Sequence, residues 1–232
     1  MPITLRRPRG RTLVFLLVGL IAYLIALIAL TPAKVVLRES DNLAVGGTIW
    51  NGEAVLASTI KVDWQFAPVR TLTELAFSAD FHMTGGGTDL AGNVTQPGET
   101  MKLTDVSGQV DGTLLDALAP NLPVTCRFVA QAEITRIVLG GSNQSADAAL
   151  RVSPAECQAK AAGLAAFEVP AARFEARPDA RGSRGALATI AGRERLLEAR
   201  LSRGGDLSIW PTVGLVRLAP ILAGVRYDTR VE

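Results

Sequence analysis

The amino-acid sequence predicts a mainly β protein: a single N-terminal transmembrane helix followed by an antiparallel, curved β-sheet domain. Three observations predict it. A long uncharged run precedes the first acidic residue, period-two alternation of apolar and polar residues recurs beyond it, and glycine-rich turns separate the alternating segments. At 48% hydrophobic and 20% charged, the 232 residues are too apolar for a disordered chain.

Leu13 to Leu30 carries no charge over 18 residues. As a helix it spans roughly 27 Å, close to the hydrocarbon thickness of a bilayer. Arg6, Arg7, Arg9 and Arg11 lie before it and Lys34 just after, so the positive-inside bias puts the N-terminus in the cytoplasm. The predicted organisation is a tail over 1–12, a helix over 13–33 in the lipid bilayer and an exported β-rich domain over 34–232. A cleaved signal peptide is the alternative. Its apolar region is normally shorter, and Leu30-Thr31-Pro32-Ala33 is a poor cleavage context. The net charge of +2 comes from those four arginines; the remainder is slightly acidic and predicts no nucleic-acid partner.

The strands follow in order. Ile60, Val62, Trp64 and Phe66 alternate with Lys61, Asp63 and Gln65. Over Thr73–Met83, Leu75, Phe77, Ala79, Phe81 and Met83 share one face. Over Phe128–Val138 the inward set is Phe128, Ala130, Ala132, Ile134 and Val138, with Arg136 marking an edge or bulge. Shorter runs occur at Ala146–Val152, Ala172–Arg177 and Leu197–Ser202. Alternation of this kind marks antiparallel strands with one wet face. Gly85-Gly86-Gly87, Gly140-Gly141-Ser142-Asn143 and Gly204-Gly205-Asp206 read as hairpin turns, and Pro178–Gly185 as a mobile hairpin loop. Leu114–Leu118 and Val213–Leu222, the latter broken at Pro220, read as short helices; Cys157–Ala166 has no clear preference. Such a sheet either closes as a sandwich or stays open as a groove, and alternation does not choose between them. An open groove would be lined by Ile60, Val62, Phe66, Leu75, Phe77 and Phe81.

Chemistry is sparse. His82 is the one histidine, on a polar strand face, so a Ser-His-Asp or Cys-His arrangement has one candidate base. Ser58-Thr59-Ile60-Lys61 matches S-x-x-K, but on a strand Ser58 and Lys61 point to opposite faces. There is no phosphate-binding glycine loop, no H-E-x-x-H and no calcium loop. The expectation is a protein with no catalytic residues, metal or cofactor. Cys126 and Cys157, both in the exported part, are expected to form a disulfide, the alternative being two buried thiols.

Gly47-Thr48-Ile49-Trp50-Asn51-Gly52, with Asn51-Gly52 read as a tight turn, is followed by Trp64-Gln65-Phe66-Ala67-Pro68. This pair of segments, after one membrane helix, resembles the type II secretion system protein N family. The resemblance rests on Gly47, Trp50, Asn51, Gly52, Trp64 and Pro68, and implies structural roles for them. It implies a non-enzymatic accessory or assembly subunit of the type II secretion apparatus in a Gram-negative inner membrane. The bulk of the chain would be periplasmic and contact other platform proteins. The alternative is an AsmA-like envelope protein that binds or conducts lipid along its apolar face.

Overall fold

The computed structural model describes residues 10–35, 43–56, 59–119, 122–160 and 166–231, with side chains from Val14 onward. Most of the 1–12 tail, Ser58 and Pro120 lie outside the described residues. Helix α1 runs Gly10–Ala29 and is followed, after Leu30 to Pro32, by a 3-10 turn over Ala33–Val35. The strands that follow are β1 (Leu43–Gly47), β2 (Asn51–Leu56) and β3 (Ile60–Phe66). Helix α2 (Pro68–Glu74) leads to β4 (Phe77–Gly85), β5 (Thr88–Gln96) and β6 (Met101–Asp111). Helix α3 (Gly112–Leu118) precedes β7 (Val124–Arg127), β8 (Val129–Leu139), β9 (Ser145–Val152), β10 (Ala155–Ala159) and β11 (Phe167–Val169). The chain continues through β12 (Ala172–Asp179), β13 (Gly182–Thr189), β14 (Arg195–Ser202) and β15 (Asp206–Pro211). It ends with α4 (Val213–Leu218), a 3-10 turn over Pro220–Leu222 and β16 (Tyr227–Arg230).

Thirteen strands form one antiparallel sheet in chain order, from which only β7, β10 and β11 depart to make a small three-stranded sheet. Pairing register carries the apolar face across it. Ala54 faces Val62, Val62 faces Met83, Met83 faces Leu90, and Ala132 faces Leu150, Leu150 Phe174 and Phe174 Leu187. β1 and β16 stay at opposite ends, so the sheet does not close into a barrel. Register shifts at Ala91/Asn93, Ile134/Arg136 and Leu187/Ala188 are bulges, which bend the strands that contain them.

The apolar face is covered unequally. Leu90, Val106, Val110, Ala130 and Ala132 form a buried cluster, packed by Leu114 of α3 and by Phe128. Further along, Ala172 and Leu196 pack with Leu215, Ala219 and Leu222, together with Val124 of β7 and Phe167 of β11. The small sheet, α3 and α4 thus lie over the middle and C-terminal strands. The disulfide Cys126–Cys157 joins two directly opposed residues of β7 and β10.

Several expectations need correction. Leu75 is not on a strand: Pro68 starts α2, and Leu75 caps it in the left-handed region (φ 49°), 90% exposed. Val138 is not inward, because the bulge after Ile134 resets the alternation and puts Ile137 and Leu139 opposite Leu103 and Met101. Asn51-Gly52 is not the turn but the start of β2; the connection is Thr48–Trp50, closed by the Gly47–Gly52 pair. Pro178–Gly185 is not a long loop: β12 and β13 pair up to Asp179 and Gly182, leaving two residues between them. Apart from these corrections, α1 covers most of the span expected over 13–33; among the described residues, whose side chains begin at Val14, no helix is long and apolar enough to cross a membrane. Every described large apolar side chain of α1, from Val14 to Ile28, is exposed.

Candidate functional site

The joint between α1 and the sheet is built by the residues of the Gly47–Pro68 region. A helix leaves its last carbonyls without intrahelical partners. Here Thr31 Oγ1 donates to Leu27 O at 3.0 Å, and the Trp50 indole N–H donates to Ile28 O at 2.8 Å. Ile49 N donates to Thr31 O, and Pro32 bridges to Thr48, so the β1–β2 connection lies along the exit of α1.

The remaining motif positions hold that connection in shape. Gly47 adopts φ +77°, where a Cβ would meet Gly52 Cα and Asn51 O at 2.7 Å. A Cβ on Gly52 would lie 2.3 Å from the Trp64 ring, so the indole rests against bare backbone there. The Trp64 N–H donates to Ile49 O at 3.2 Å, and Asn51 O accepts from Thr48 N and Thr48 Oγ1. Phe66 N donates to Trp50 O at 2.7 Å, and Pro68 opens α2. Trp50 meets Phe66 edge-on at 4.8 Å, and Phe66 stacks on Phe77 at 5.7 Å.

Beside this joint the apolar face opens into a groove of about 520 Å³. Ala33 and Ile49 line its end at α1; Val62, Trp64, Phe77, Ala79, Phe81 and Met83 come from β3 and β4; Val94, Gln96, Met101 and Leu103 come from β5 and β6. Gln96 is the one lining side chain with an amide, and no charged residue lines the groove. Of the predicted lining, Val62, Phe77 and Phe81 are present. Ile60 is wholly buried, Phe66 belongs to the aromatic cluster at the margin, and Leu75 lies outside. Ala33, Ile49, Val94, Gln96, Met101 and Leu103 escaped the sequence reading. Gly92 and the adjoining bulge break the alternation of β5 and β6, and Ala33 and Ile49 precede any alternating run.

Charges sit on the other face. Lys61 Nζ lies 2.9 Å from Asp63 and 3.0 Å from Glu53, and the hydrogen bonds to Asp63 and then Glu53 raise its pKa. His82 Nε2 lies 2.7 Å from Asp89 Oδ1 on the exposed surface. Asp111 is a structural hub. It accepts from Gly87 N at the β4–β5 turn, from Thr88 Oγ1, and from Thr113 N and Oγ1 as the cap of α3. Burial works against its charged form, but these hydrogen bonds prevail and its pKa is lowered. Among the described residues no three His, Cys, Asp or Glu side chains are grouped to hold a metal ion.

Chemically, the arrangement offers apolar shelter without a nucleophile–base pair in the groove. It suits a ligand whose bulk is hydrocarbon. Set against family models, curated proteins and solved structures, the chain matches none.

Proposed function

We propose that this protein is a non-enzymatic envelope component, tethered to a membrane by α1, that holds a lipid acyl chain in the groove at the root of that helix. The observation that carries this reading is the uncharged groove over β3–β6, with Ala33 and Ile49 at its α1 end. Removing a methylene from water is worth about 0.8 kcal/mol, so a dozen methylenes supply roughly 10 kcal/mol before the costs of association. A peptide strand fits less well. β3, β4 and β5 are paired on both sides, so the floor offers no free backbone partners and the peptide would strand its own N–H and C=O groups.

The tether reading rests on α1 itself. A helix apolar on every side needs an apolar environment around it, and among the described residues no protein layer covers the side chains of Val14–Ile28. The four arginines before it favour a cytoplasmic N-terminus by the positive-inside bias, and the resemblance to protein N adds to this reading a Gram-negative inner membrane with the sheet in the periplasm. Native mass spectrometry of the purified full chain in lipid-free detergent tests the groove. We expect one retained phospholipid mass, reduced severalfold in Met101→Glu, whose side chain is 38% exposed at the groove edge. A wild-type chain that carries no lipid defeats the proposal.

A second reading is an accessory subunit of the type II secretion platform, in contact with its other proteins. It is favoured by the use of Gly47, Trp50, Asn51, Gly52, Trp64 and Pro68, the residues that resemble protein N, to fasten the membrane helix to the sheet. Its test is genetic. Deleting the chain should impair export of folded substrates, and platform proteins should co-purify with it; normal export without co-purification removes this reading.

A further inference from the structure

We propose that α2 is a second membrane contact, which seats the β domain on the bilayer surface through Val69, Leu72 and Leu75; this rests on the reading of α1 as the tether. The three side chains are 75%, 74% and 90% exposed and follow one another at three-residue spacing. None contributes to either buried cluster. The helix is anchored through Thr71, whose Oγ1 accepts from the N–H of the fully buried Ser78, while Pro68, Thr73 and Glu74 are exposed beside the apolar edge. α2 is therefore fixed on the sheet with an apolar edge turned outward.

Its place in the chain names the occupant. Ile28 O accepts from the Trp50 indole, Trp50 O accepts from Phe66 N, and α2 begins two residues after Phe66. At about 3.5 Å per residue, that places the start of α2 within roughly 10 Å of the Trp50 carbonyl, and within roughly 20 Å of Ile28 at the end of α1. If α1 leaves the bilayer at Leu30, an apolar edge so near the exit meets the headgroup and upper acyl region before it meets any soluble partner. Lys34, exposed just past α1, adds a cation suited to anionic headgroups; on α2 the half-buried Arg70 is balanced by the exposed Glu74. Val35, which follows Lys34, is an exposed apolar side chain as well.

Site-directed spin labelling of the full chain tests this. The two native cysteines are joined in the disulfide, so one introduced thiol takes the label alone. Leu72→Cys, Ile21→Cys in α1 and Ile190→Cys at the opposite ends of the strands are reconstituted in nanodiscs of phosphatidylethanolamine and phosphatidylglycerol. Collision with oxygen is compared with collision with a water-soluble nickel chelate. We expect nickel collision at position 72 to be severalfold lower than at 190, with oxygen collision raised. Position 72 as open to nickel as 190, while 21 is shielded, overturns the proposal, leaves the tether standing and points to a protein partner for α2. Nickel access at both 72 and 21 overturns the proposal together with the tether.

Discussion

Trp50 and Trp64 do different work from what their size alone would indicate. Each ring packs, but each indole N–H also donates to a distant backbone carbonyl: Ile28 O at the end of α1, which accepts from Thr31 N as well, and Ile49 O in the connection. Trp50→Phe keeps the edge-on contact with Phe66 and loses the first bond. Such a bond is worth about 1 kcal/mol, so the expected result is modest destabilisation with faster amide exchange at Leu30 and Thr31. Unchanged exchange there contradicts the assignment. Gly52→Ala is harsher, because the new carbon meets the Trp64 ring and two backbone oxygens within 2.8 Å. Overpacking of that kind costs about 1–3 kcal/mol, read as a lower melting temperature and altered tryptophan fluorescence. Asp111 gives a pH signature. Its folded pKa is depressed, so its stabilisation is present above the ordinary carboxylate value, about 3.9, and fades as pH falls through the folded value. Asp111→Ala should cost about 1 kcal/mol near neutral pH, and the gap to wild type should shrink in denaturant titrations below about pH 4.

At the scale of elements, the legible parts were those whose physics is local. Ile60–Phe66, Phe77–Met83 and Val129–Ile134 alternate cleanly and are strands; the glycine clusters at 85–87, 140–141 and 204–205 lie at hairpin turns. The parts that escaped depend on geometry with no sequence period. The bulges between β5 and β6 and after Ile134 shift the apolar sets of β6 and β8 by one residue, which moved Val138 outward and hid the lining of β6; in β5 the parity holds, but Gly92 interrupts the apolar set. Leu75 keeps the parity of β4 yet sits in a helix cap, because Pro68 starts a helix that alternation does not reveal. The small sheet escaped for another reason. β7, β10 and β11 are only 4, 5 and 3 residues long, too short to show a pattern or to be stable unaided. The disulfide closes a 31-residue separation between two of them, worth about 3–4 kcal/mol in the chain-entropy account. In Cys126→Ala/Cys157→Ala, amide protection should fall at Val124–Arg127 and Ala155–Ala159 while Met101–Asp111 keeps its own. Equal loss in both would mean that the small sheet and the large one unfold as a unit.

For the molecule as a whole, the consequential fact is the uneven cover on one continuous apolar face. Over β3–β6 the face lines the groove; over β12–β15 it is packed by Leu215, Ala219 and Leu222. Between them stand α3 and Phe128 on the buried cluster around Ala130 and Ala132. A chain of hydrocarbon entering beside Ala33 would therefore meet packed side chains after a few strands, each strand adding about 4.8 Å of travel. This geometry favours holding a lipid over conducting one along the sheet. Photo-crosslinking on the full chain in native membranes separates the two. A photoreactive residue at Phe81, in the groove, should capture phospholipid, whereas one at Leu187, packed against the α4 cluster, should not. Comparable adducts at both positions would mean that the α4 layer lifts from the sheet and that the whole face serves as a conduit.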